Sequence, residues 1–273
     1  MDIILCHQTA DFDALGAAVG ISRLKRGSQI VLAGGAHPAV RNFLALHRNE
    51  LAIADRRSIN PQNIRTLSIP DAQKRDRLGP CAQWLDLPQL QGITIYDHHL
   101  EAESDIPASD RQIEPLGAIS TLIVEKLQQA SLSLSPSEAT AIALGIHVDT
   151  GSLTFDSTTP RDIRALAWLM EQGANVRAIR EYSDQSLSPQ LQHLLAEALE
   201  RLERETVRGR AVGWVRLDTD AFVPGLSGLA MRVLELSNLD ALLLAHQYYR
   251  RRGEGIRLAL IGRSRIPGPN LNE

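Results

Sequence analysis

At 273 residues, with 44% hydrophobic and 22% charged content, the chain is an ordinary globular protein long enough to bury two separate cores. A net charge of −3 leaves only a local basic groove as a route to nucleic acid, and 4% aromatic content argues against a stacking platform for many bases. Two cysteines, Cys6 and Cys81, argue against a disulfide framework and fit a reducing cytoplasm; no run approaches the roughly 18–20 apolar residues that span a bilayer, and MDIILCHQTADFD lacks the basic start of a signal peptide.

The first half of the chain alternates. Ile3 to Cys6 reads as a buried strand, and the spacing of Leu15, Val19 and Ile21 predicts a helix over 13–24, with Lys25-Arg26 near its end. Ile30 to Ala33 is a second strand ended by Gly34-Gly35, and Val40 to His47 is helical. Thr66 to Ile69 is a short strand leading to Asp71, and Ile93 to Tyr96 leads to Asp97-His98-His99. Strands alternating with helices indicate a parallel sheet with right-handed crossovers. Helices are then expected over 121–129, 137–146 (with Ser135-Pro136-Ser137 as its start), 160–170 and 187–205. The last of these, rich in Glu and Arg, suits a partly exposed connector. Beyond it, Ala211 to Leu217, Ala241 to Tyr248 and Ile256 to Ile261 read as strands and Gly228 to Leu236 as a helix, before a Pro267-Gly268-Pro269-Asn270 loop. The expected fold class is therefore α/β: a parallel-sheet domain over 1–186, a helical connector over 187–205 and a second, smaller α/β domain over 206–273.

Acidic and histidine residues follow these apolar runs: His7, Asp11 and Asp13, then Asp71, then Asp97, His98 and His99, then Asp149. In an α/β sheet the carboxyl ends of parallel strands lie side by side, and ligands collect there. If the loop after strand one turns back, His7, Asp11 and Asp13 converge; the ordinary alternative makes Asp13 a helix cap and His7 a loop residue. Asp97-His98-His99 on its own reads equally as a polar turn, and Asp71 and Asp149 as a cap or turn residue each. Taken together they are hard oxygen and imidazole ligands suited to manganese or magnesium, with four carboxylates to balance two divalent cations.

In order and spacing, HQTADFDAL, SIPDAQKRDRL, YDHH and HVDTG resemble the four motifs of the DHH phosphoesterase superfamily, which takes in RecJ-type exonucleases, nano-RNases that also dephosphorylate pAp, cyclic-di-AMP phosphodiesterases and family II pyrophosphatases. GLSGLAMRVLELSNLDALLL and LALIGRSR resemble the DHH-associated domain, and ADFDAL with TGSLTFDSTTPRDIRALAWLMEQGAN is closest to the N-terminal DHH module of bacterial CBS-domain tRNA nucleotidyltransferase or poly(A) polymerase proteins. The resemblance implies that His7 and Asp11 hold one metal, that Asp13, His98 and Asp149 hold the other, and that Asp71 bridges them. It further implies that His99 faces the substrate phosphate and that Asp97 orients a histidine. Two departures stand out. Gly16-Ala17 replaces the usual Gly-Ser, which is a packing change, and the Gly-Gly-Gly-His stretch expected after LALIGRSR is absent, which makes the chain read as a fragment of a longer protein with an incomplete substrate grip.

Arg263 and Arg265 either reach a substrate phosphate or sit at a solvated strand end. Gly117, Ser120 and Thr121 form either a phosphate nest or an ordinary capped helix. Arg250-Arg251-Arg252 reads as an exposed turn, His147 as structural, and Trp84, Trp168 and Trp214 as core. The expected function is a manganese-dependent phosphoesterase, with magnesium as the other candidate ion. It would act on a nucleotide, short RNA or single-stranded DNA in a cleft between the domains, in the cytoplasm, with no membrane partner. The alternative is a regulatory or RNA-handling module that meets tRNA through a longer nucleotidyltransferase; inorganic pyrophosphatase ranks below both because the C-terminal segment resembles the DHH-associated domain.

Overall fold

In the computed structural model, which describes residues 1–183, 187–249 and 255–265, the apolar run at the N-terminus is strand β1 (Asp2–Cys6). It continues into α1 (Phe12–Leu24), β2 (Gln29–Leu32), α2 (Pro38–His47), β3 (Ile53–Ala54), β4 (Thr66–Pro70), β5 (Gly92–Asp97) and β6 (Asp110–Ile113). Then come α3 (Ile119–Gln129), α4 (Pro136–Asp149), α5 (Pro160–Glu171) and α6 (Val176–Ser183). The remainder is α7 (Pro189–Glu200), β7 (Glu203–Val207), β8 (Arg210–Thr219), α8 (Leu226–Leu236), β9 (Ala241–Tyr249) and β10 (Ile256–Ser264). The chain divides into two units, Met1–Gln185 and Ser186–Glu273.

In the first unit six parallel strands lie in the order β3-β2-β1-β4-β5-β6. Both faces of the sheet are covered, so its central strands are apolar throughout: Ile3, Ile4 and Leu5 of β1 are all buried. One face carries α1 and α4, which meet α3 at close range. A Cβ on Gly16 would come within 2.9 Å of the Ala141 carbonyl oxygen and the Ile142 Cα, so this crossing is built at backbone contact. Ala17 beside it is fully buried, which fits the packing change read from the sequence. The expected start at Ser135 is a full capping box, in which the Ser135 hydroxyl accepts from the Glu138 N–H and the Glu138 carboxylate from the Ser135 N–H.

The second unit is a four-stranded mixed sheet, β10-β9-β8-β7, with β8 and β9 parallel and the outer pairs antiparallel. Helices α7 and α8 share with it a core of Leu194, Val215, Leu229, Val233 and Leu244.

Four expectations need correction. Residues 187–205 are not a helical connector: α7 stops at Glu200, its Leu191, Leu194 and Ala198 belong to the second unit's core, and Glu203–Val207 is an edge strand paired with β8. The charged pattern misled because an edge strand exposed on both sides needs no apolar alternation. Strands β3 and β6 were not foreseen, since one is two residues long and the other, DRQI, is mostly polar. Helix α4 runs on to Asp149. Trp214 is not core: it is 39% exposed on an outer sheet face with Leu243 and Leu260. Arg250-Arg251-Arg252 and Pro267-Gly268-Pro269-Asn270 lie outside the described residues. Among the described residues no helix is long and apolar enough to cross a membrane.

Candidate metal centre

The sheet order reverses between β1 and β4, since the chain winds outward through β2 and β3 on one side and through β5 and β6 on the other. The crevice outside the carboxyl ends at such a switch point is where α/β sheets hold ligands. His7 leaves β1 there, Asp71 leaves β4, and Asp97-His98-His99 ends β5. Asp11 caps α1, accepting from the Ala14 N–H at 3.0 Å, which places Asp13 in the first turn. Asp149 arrives differently, as the last residue of a helix. A carboxylate at the negative end of a helix dipole is misplaced unless a cation faces it.

The geometry sorts these side chains into overlapping groups. His7, Asp11 and Asp71 form one, Asp13, His98 and Asp149 another, and Asp71 also joins Asp97, His98 and His99, with ligand atoms within 4.8 Å of one another in each group. His7 Nε2 lies 3.4 Å from Asp71 Oδ2 and 3.7 Å from Asp11 Oδ2. His98 Nε2 lies 3.4 Å from Asp149 Oδ2 and 3.7 Å from both Asp13 Oδ2 and Asp71 Oδ1. Asp71 thus turns one oxygen to each histidine. It holds that pose at φ 54°, a left-handed conformation that Asp tolerates better than most residues, with its N–H donating to the Tyr96 carbonyl at 2.8 Å.

His7 Nε2, His98 Nε2 and Asp71 Oδ1 are buried with no hydrogen-bond partner. Buried polar atoms are rarely left so, and these, with the two histidines on different oxygens of Asp71, fit a site for divalent cations.

The surrounding residues fix the orientation of the ligands. Asp97 Oδ1 accepts the backbone N–H groups of His98 and His99 at 2.7 and 2.9 Å and His99 Nδ1 at 2.8 Å. His98 Nδ1 bonds the Leu116 carbonyl at 3.1 Å, which leaves Nε2 toward the carboxylates. Gln73 donates to the His99 carbonyl at 2.8 Å.

The start of α3 corrects an expectation. Gly117, Ser120 and Thr121 were candidates for a phosphate nest, but they are buried and their donors are taken. Asp13 accepts the Ile119 and Ser120 N–H groups at 2.7 and 2.8 Å. Asp162 accepts the Gly117 N–H at 3.1 Å and the Thr121 hydroxyl at 2.6 Å. The helix start does bind an anion, and the anion is the protein's own Asp13. Asp162 was missed by the sequence reading, although TTPRD announces it: Thr159 and Asp162 form a capping box on α5. By holding Gly117 it also holds the neighbouring Leu116 carbonyl that orients His98.

Electrostatics follow from this crowding. Burial first, and then the charges of Asp149 and Asp71, push Asp13 well above the usual carboxylate range. Burial likewise raises Asp149, with Asp11 and Asp71 adding to the shift and His98 opposing it. For the histidines burial works downward, but the carboxylates outweigh it, raising His7 to about 9 and His98 to about 11. Four acids and two imidazoles in one pocket hold positive charge by whatever means is at hand: protons here, cations where these are supplied.

The remaining candidates lie in the second unit. Arg263 donates to the Gly262 carbonyl and to the Ser227 hydroxyl of α8, and Arg265 is exposed at the end of β10.

No family model matches the chain. It is 34% identical over 267 residues to the A-adding tRNA nucleotidyltransferase of Geobacter sulfurreducens, an alignment that takes in 97% of this chain and 30% of that protein. The chain thus spans less than a third of that relative's length. It is 27% identical over 186 residues to the bifunctional oligoribonuclease and PAP phosphatase NrnA of Mycoplasma pneumoniae, covering 66% of this chain and 55% of that one. Among solved structures, an exopolyphosphatase-related protein from Bacteroides fragilis superposes with a TM-score of 0.72 at 17% identity, over 96% of this chain and 78% of that one, a likeness of fold alone.

Proposed function

The chain belongs to the DHH phosphoesterase superfamily, and from that premise we propose that it hydrolyses a phosphoester of a nucleotide or short oligonucleotide at a two-metal centre. The observation that carries this reading is Asp71, buried between His7 and His98 with one oxygen turned to each. In the proposal His7, Asp11 and Asp71 hold one cation, and Asp13, His98, Asp149 and Asp71 the other; hard oxygen ligands with imidazoles favour manganese or magnesium. Such ions supply Lewis-acid stabilisation of the phosphoryl group and a water that ionises near neutral pH.

The chain's own residues do the rest. Asp97 ties down the β5 end and steadies His99 through Nδ1, and this contact, against the opposing pull of burial, raises the His99 pKa. His99 is the exposed member of the set, 59% accessible, and in this proposal its other ring nitrogen holds a proton for the departing oxygen. Arg263 and Arg265 are proposed to grip the substrate, and both buried thiols suit a reducing compartment.

The experiment is hydrolysis of a labelled RNA dinucleotide with manganese by the parent and by Asp71→Asn. Loss of an outer partner of a metal ligand costs about 10–100-fold, so loss of the shared ligand should cost at least about a hundredfold. Parental turnover in the variant overturns the assignment. A second reading has its own support, since 97% of this chain aligns with a protein named for adding A to tRNA. In that reading the module binds metal and nucleotide for a longer nucleotidyltransferase without turning substrate over. Metal-dependent nucleotide binding with no release of mononucleotide would favour it.

A further inference from the structure

Away from the metal centre, at the same carboxyl edge of the six-stranded sheet, three arginines converge on one concavity. The pocket, of about 360 Å³, lies between the Gly34-Gly35 turn after β2, the end of β3 and the end of α2, and takes Arg48, Arg56 and Arg57 into its wall. None of the three guanidinium groups makes a hydrogen bond or ion pair among the described residues. Arg23, Arg75 and Arg161 of the same unit are ion-paired, with Glu138, Asp86, and Glu114 and Glu125; what sets Arg48, Arg56 and Arg57 apart from its other unpaired arginines is that they share one hollow. The one acid in the wall, Asp55, accepts the Arg57 backbone N–H at 2.8 Å through one oxygen and forms no ion pair with the three arginines among the described residues.

Three arginines against one carboxylate leave the hollow with a surplus of positive charge, and planar guanidinium forks suit phosphate oxygens. The floor is open. Gly35 has φ 134°, and a Cβ built there would meet nothing within 4 Å. Gly34 packs on Gln8, the residue after His7, where a Cβ would come within 2.8 Å of the Gln8 Cβ. The hollow therefore abuts the loop that carries a metal-centre histidine. Strand β3 lies two strands from β1, which at the usual inter-strand spacing is about 10 Å. The wall holds no aromatic ring on which a base could stack.

We propose that this pocket is a second phosphate subsite, holding a backbone phosphate of a single-stranded oligonucleotide whose reacting phosphoester lies at the metal centre. The proposal rests on the phosphoesterase reading of that centre. It makes the protein sense chain length: a substrate with several phosphates spans both sites, and a dinucleotide reaches only one.

The test compares Arg48→Gln/Arg56→Gln/Arg57→Gln with a charge-matched control, Arg164→Gln/Arg177→Gln/Arg180→Gln, on α5 and α6. With manganese, the pocket variant should raise KM for an RNA pentanucleotide about tenfold or more, leave dinucleotide hydrolysis within about twofold, and differ in this from the control. Equal effects on both substrates, or a control that behaves like the pocket variant, overturn the proposal. Binding of the fluorescein-labelled pentanucleotide in calcium is read in parallel. The slope of log K against log salt should flatten by about 0.7 for each phosphate that the variant no longer neutralises. If the parent cleaves neither RNA, the phosphoesterase reading fails by itself, and this arm still decides the pocket: a flatter slope in the pocket variant sustains the anion site, and an unchanged slope overturns it.

Discussion

The two units of this chain bury opposite things. The first takes His7, Asp13, Asp71 and Asp97 almost wholly out of water at one sheet edge, while the second, among the described residues, buries a single titratable group, His246, beside the rings of Phe222 and Tyr248. A buried charge is costly unless paired, and removal of one partner costs more than the pair contributed. The stability of the first unit is therefore conditional on what occupies its centre. That of the second rests mainly on burial of the apolar surface of its helices and sheet.

The sharpest way to break that contrast is at Asp162. Asp162→Ala removes the acceptor for the Gly117 N–H, the Thr121 hydroxyl and the Thr159 N–H. Stranding those donors should lower the stability of the first unit by about 3–5 kcal/mol. Denaturant unfolding followed by Trp84 and Trp168, with Trp214 replaced by Phe, measures it. A loss below about 1 kcal/mol would show that Asp162 is not the anchor described. Next in size is the response to metal. A ligand at about 100 times its Kd adds about 2.7 kcal/mol, so manganese should raise the first unit's unfolding midpoint and chelation should lower it. The second unit, followed by Trp214 alone, should not respond, and equal shifts in both would dissolve the contrast. The smallest effect concerns His246. Burial lowers its pKa, with Asp218 opposing, while its Nε2 pairs with the Thr219 hydroxyl and its ring stacks on Tyr248. The unfolded state then takes up the proton first, so this contribution is complete above about pH 6.5 and lessens as pH falls below it. His246→Phe should flatten that slope in the second unit's transition.

Much of this was legible beforehand because it is local. The apolar tetrapeptide at Ile3 and the β-branched runs at Thr66 and Ile93 could hardly be anything but buried strands, and the polar residues just past them had to stand at the sheet's edge. The ends of the elements were less legible. HVDTG ends in Gly151, yet α4 carries on to Asp149, with Val148 of its last turn packed against the core. The charged stretch after Glu200 became an edge strand because a neighbour, β8, offered a ladder that no local pattern announces. The basic pocket was invisible for a similar reason: Arg48 ends a helix, whereas Arg56 and Arg57 follow a two-residue strand, and nothing in their spacing shows that they share a hollow.

By itself, the sequence determined the α/β class, the parallel winding of the first unit and the identity of the residues at its carboxyl edge, since hydrophobic period and residue chemistry are properties of short segments. Only the tertiary structure decided which donors those residues would meet. The start of α3 could have met a phosphate and instead meets Asp13, 107 residues from Ser120. The reason is geometric: a helix terminus offers its N–H groups to whatever anion the packing brings nearest, and α1 lies against α3 at a separation that glycine permits.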